Sequence, residues 1–209
     1  MAKTITDLER EFDKFKSTCN NLSLELKGSG LSPGKANNLR ILKMYIEADP
    51  PDLLPTIIKG YHDFSNTLNK DLDIVKNLIW ELHHEEKSEI RISHYLIKHS
   101  NTEKEMAEEL KITHLILAIR KHHKDLLNII IRLERLVKDL KERSDELSTL
   151  GNLPSDETSI IESFAREVES IGDDGYKILK KIYYYHDDAR QHLKNLATDK
   201  VSFNHKDDK

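Results

Sequence analysis

The chain has 209 residues, 33% of them charged and 37% hydrophobic, with 33 Lys and Arg against 37 Asp and Glu for a formal net charge of -4. Seven Gly and five Pro are too few turn-formers for a many-stranded β or α/β fold, and so even a charge balance implies no polyanion partner. The one cysteine, Cys19, excludes an internal disulfide framework, fits a reducing compartment, and on an apolar helical stripe reads as a small core residue.

A first helix is predicted over about 5–27. Ile5, Leu8, Phe12, Phe15, Cys19, Leu22 and Leu26 alternate by three and four, a heptad seam, with Thr4 and Asp7 as a weak capping box. The segment GSGLSPG closes it, and Ser32–Pro33 opens a shorter second helix that ends before Pro50 and Pro51. A third starts near Asp52, tolerates Pro55 in its first turn, and runs to about His99. Ser100 with Glu103 caps a fourth that reaches Leu150, supported by the i,i+4 pairs Glu134–Lys138 and Asp139–Arg143. Gly151 to Pro154 makes a turn, and Ser155, Asp156 and Glu157 start a fifth helix to about Ala197, which Gly172 and Gly175 could bend. The expected fold is all-α: an elongated antiparallel helical bundle of three long helices and two shorter N-terminal ones. It forms one domain over 1–198, followed by a disordered tail over 199–209.

Within the fourth helix, positions 112–133 read ITHLILAIRKHHKDLLNIIIRL and are apolar on nearly every face, the pattern of a helix buried all round. Short connections make the long helices antiparallel, which sets His84, Ala118 and His186 at one level. Helices one and two look too short to cover the whole length. They are expected to flank the end holding 57–75, 129–150 and 160–171. The other end would then expose part of Leu115, Ile116, Leu117 and Ile119, forfeiting on the order of several kcal/mol of apolar burial. Together with Tyr183, Tyr184 and Tyr185, these residues are the expected interface of a two-fold homodimer.

Nine of the 11 histidines fall between His83 and His192. Glu81 and His84 share a helix face, so a metal set of Glu81, His84, His122, His123 and His186 is sterically available to a transition ion. Di-metal carboxylate bundles carry the Glu-x-x-His motif on two helices, and here there is one convincing copy. No P-loop, dinucleotide-binding glycine turn, zinc cysteine pair or nucleophile elbow occurs. The basic residues Arg120, Lys121, Lys124, Lys177, Lys180 and Lys181 alternate with Asp125, Asp187 and Asp188, a solvated face rather than a nucleic-acid groove. The N-terminus lacks a secretory pattern, and no window approaches the ~18 apolar residues of a membrane span. The expectation is a cytoplasmic, non-enzymatic interaction or scaffold protein that acts as a homodimer and meets a further, unidentified protein partner. The alternative is a His/Glu metal-binding bundle, redox-active or metal-sensing.

Overall fold

The computed structural model describes residues 5–27, 31–97 and 103–204. They form α1 (Ile5–Lys27), a single π-helical turn (Leu31–Lys35), α2 (Ala36–Glu47), α3 (Leu53–Ile97), α4 (Glu103–Leu150) and α5 (Glu157–Asn204). No strand occurs among them, and the chain is an all-α bundle. Helix ends fall close to where the caps place them. Gly151 leaves α4 at φ 71, the left-handed conformation that glycine adopts without a Cβ clash. Asp52 opens α3 by accepting from the Thr56 hydroxyl at 3.2 Å and from Tyr45 at 2.7 Å. Lys35 ties the π-helical turn to α3 through Asp71, at 2.6 Å. Helix α5 reaches Asn204; residues 205–209 of the expected tail lie outside the described residues.

Neighbouring long helices are antiparallel, as their short connections require. Lys76 of α3 meets Glu134 of α4, whereas Ser144, further along α4, donates to the carbonyl of Ile58, earlier on α3. Arg132 on Glu167 and Arg143 on Glu157 show the same reversal between α4 and α5.

The chain groups into two compact units, each holding segments of all three long helices. The first combines α1 to Asn20, α3 from Ile79, α4 to Asp125 and α5 from Ile178. The second combines the rest of α1, all of α2, and α3 to Leu78 with the remaining parts of α4 and α5.

This division corrects the expected placement of the N-terminal helices. Most of α1 belongs to the first unit, the end assigned to three helices alone, and only α2 stays wholly in the second. The physical reason is length. At ~1.5 Å per residue α1 spans roughly 35 Å, and its seam stays in phase throughout, so one helix contributes buried side chains to both units. Leu8, Phe12, Phe15 and Cys19 are buried in the first; Leu22 and Leu26 in the second.

In the first unit Leu8, Ile112, Leu193 and Leu196 pack as one cluster, with Ile116 against it. Helix α4 is therefore not buried all round. Ile112 and Ile119 are buried and Leu115 and Ile116 half-buried, while Leu117 is exposed. In the second unit Gly175 allows close approach of Leu26: a Cβ there would lie 2.8 Å from the Leu26 Cδ2. Its role is packing against α1, within an α5 that is helical throughout.

Candidate functional site

Along α3 the buried positions run Leu72, Val75, Ile79, Leu82, Glu86 and Ile90. A glutamate thus occupies a core position, 1% exposed. His83, three residues earlier, shares its helix face. On α4 the stripe of Ile112, Ile116 and Ile119 continues to His123, 4% exposed, which meets them from across the bundle. Glu86 Oε2 lies 2.7 Å from His123 Nδ1 and 3.4 Å from His83 Nδ1. The two imidazole rings are 4.9 Å apart between centroids, inclined at 53°. One donor atom from each of His83, Glu86 and His123 falls within 4.8 Å of the other two.

Two aromatic contacts border this cluster. Trp80, the one tryptophan of the chain, sits a turn before His83 with its ring edge-on at 6.3 Å and its face exposed. On α5, buried His186 packs its ring 3.9 Å from that of Phe15. Burial pushes the Glu86 carboxyl up. The close approach and charge of His123, the charge of His186 and the His83 hydrogen bond together outweigh it, leaving Glu86 below its ordinary value.

Of the five expected metal ligands, His123 alone belongs to this cluster. Glu81 and His84 are exposed on the outer side of α3. Glu81/His84 and His83/Glu86 have the same three-residue spacing, and only the phase of the core stripe decides which pair points inward. His122 is half-buried, 3.0 Å from Asp125, and stacks on Tyr185 at 5.6 Å. His192 pairs with Glu108, and the side chains of His94 and His99 lie outside the described residues.

The expected interface residues also part company. Ile116 and Ile119 face their own chain's core, and Tyr183 packs on Phe12 with centroids 6.2 Å apart. Leu117 and Tyr184 remain exposed. Cys19 is buried, as its stripe position implies.

Because the Glu86 carboxyl is held below its unfolded value near 4.5, it contributes stability above that pH, lost as pH falls through its folded value. The stability gap between the wild type and Glu86→Gln should therefore narrow as the pH is lowered below about 4.5. Urea midpoints at several pH values measure it. A gap that widens toward acid would mean Glu86 is protonated in the native protein.

Comparison with family models, with curated proteins and with solved structures finds no match to this chain. Among the described residues no helix is long and apolar enough to cross a membrane.

Proposed function

We propose that the chain is a non-enzymatic interaction protein that works as a homodimer, paired through the outer face of α4 in the first unit. One observation carries this reading: α4 has a second seam pointing away from the core. Glu103, Met106, Leu110, Thr113, Leu117, Arg120 and Lys124 alternate by three and four, and all are exposed. Met106 is 56%, Leu110 59% and Leu117 55% exposed, an apolar centre flanked by charge. Covering the exposed half of each such side chain is worth roughly 1–1.5 kcal/mol.

Charge order selects the occupant. The N-terminal end of this segment carries Glu103, Glu105, Glu108 and Glu109, and the far end Arg120, Lys121 and Lys124. A second copy lying antiparallel about Thr113 and His114 sets Leu110 against Leu117 of the other copy, and Glu103 against Lys124. A parallel copy would set like charges together. The interface is isologous and closes with two chains. Exposed Trp80 and Tyr184, in the same unit, are residue types that anchor protein contacts and suit a further partner. A cytoplasmic setting goes with this reading, since the sequence holds a single cysteine, Cys19.

Sedimentation equilibrium should give twice the chain mass, and Leu117→Lys should give a monomer of unchanged helicity. Glu103→Lys should weaken pairing and Lys124→Glu in the same chain restore it. A monomeric wild type, or a Leu117→Lys chain that still pairs, overturns the proposal.

A further inference from the structure

The geometry points to a site for one first-row transition-metal dication, held by His83, Glu86 and His123 within the first unit of each chain. It is independent of the pairing proposed for α4.

Two imidazoles and a carboxylate on facing helices make a three-donor set that leaves further coordination positions open. Four donors around an ion at ~2.0–2.1 Å stand about 3.4 Å apart in a tetrahedron. His83 Nδ1 and Glu86 Oε2 are at 3.4 Å, and the His123 contact at 2.7 Å needs to open by about 0.7 Å to reach that tetrahedral separation. Carboxylate rotation about its terminal torsion is soft enough to supply that movement.

The alternative for the same residues is a buried ion pair, and the alignment of His123 separates the two. A simple pair would point the ring N–H straight at the carboxylate. Here Nδ1 lies close to Oε2 yet makes no aligned hydrogen bond, and Nε2 makes none either, although the residue is almost fully buried. Buried polar atoms without an aligned partner call for an additional group, a water or an ion. A dication bound by Nδ1 and the carboxylate engages those two groups without an N–H between them and leaves the ring proton on Nε2.

The donors also select the ion. Nitrogen ligands suit Zn²⁺, Co²⁺, Ni²⁺ or Fe²⁺, whereas Ca²⁺ and Mg²⁺ favour all-oxygen shells. Half-buried His83, beside exposed Trp80, gives an approach from solvent. Protons compete with the ion for both imidazoles, so affinity should fall as the medium is made more acid.

The test uses the full, untagged chain dialysed against Zn²⁺ or Co²⁺ and assayed by elemental analysis. One equivalent per chain is expected, with Co²⁺ giving a visible d–d spectrum that Zn²⁺ abolishes and quenching the single tryptophan. His83→Ala, at the rim, and His123→Gln should each weaken Zn²⁺ binding at least ~100-fold, more than loss of an outer-shell contact. His84→Ala, on the outer face of the same helix, should leave binding unchanged. Retained helicity of His83→Ala by circular dichroism makes its loss of binding interpretable, and the tryptophan signal reads the site directly. Failure of the wild type to take up a stoichiometric ion, or uptake indifferent to His83→Ala, would leave an ion pair only and overturn the proposal.

Discussion

Glu157→Ala should lower the unfolding free energy by about 3–5 kcal/mol, the cost typical of removing one member of a buried charged pair. Glu157 stands in the first turn of α5 and is fully buried. Its Oε1 accepts from the Tyr61 hydroxyl at 2.5 Å and from Arg143 Nε at 3.3 Å, and its Oε2 accepts from Arg143 Nη2. Tyr61 is itself fully buried, and burial together with the Glu157 carboxylate pushes its phenol well above the ordinary range. The hydrogen bond that Arg143 donates to Glu157 does most to raise its guanidinium, with the bond to Glu146 adding to it. Removing the carboxylate leaves a guanidinium and a phenol facing each other inside the second unit.

Tyr61→Phe deletes only one hydrogen bond to a charged acceptor and should cost less, roughly 1.5–3 kcal/mol. Urea unfolding of both variants tests the ranking. A Glu157→Ala loss below ~1 kcal/mol would fit a solvated surface pair and contradict this account.

The second large effect is expected at Phe15. Phe15→Ala should destabilise the protein by about 3–5 kcal/mol, since a fully buried aromatic ring is replaced by a cavity. The ring lies 6.0 Å from that of Phe12 and 3.9 Å from that of His186, so it links α1 to α5 in the first unit. The same variant tests the corrected position of α1. If α1 did not pack in that unit, Phe15 would be partly solvated and its truncation would cost ~1 kcal/mol or less. Hydrogen exchange adds a local readout, because amides of α5 around His186 should lose protection in Phe15→Ala.

Some features of the candidate site are readable from residue order. A carboxylate at Glu86 falls in phase with Leu72, Val75, Ile79 and Leu82, and a charge in such a stripe signals a buried partner. That phase turns His83 and Glu86 inward and leaves Glu81 and His84 exposed. His123 continues the α4 stripe and is buried with it. Arg143 shows the opposite case. Its spacing from Asp139 suits a surface pair, yet its partners are Glu157 and Glu146, because the antiparallel return of α5 brings a buried carboxylate to it. Glu157 likewise has the sequence signature of a helix-start acid, and nothing local distinguishes that role from a buried counter-ion.

Residue order alone sufficed for the all-α class, the helix number and most helix ends. These depend on 3.6-residue periodicity and on cap chemistry, which act over a few neighbouring positions. Which apolar face meets which neighbour was settled only in three dimensions. Helix α4 is apolar on nearly all sides, so its own pattern selects no face. The choice fell to α1, whose seam was long enough to enter the first unit and cover Ile112 and Ile116, leaving Met106, Leu110 and Leu117 outside. The gathering of His83, Glu86 and His123 has the same origin: it joins residues on two helices some forty positions apart, a distance over which spacing rules carry no information about register.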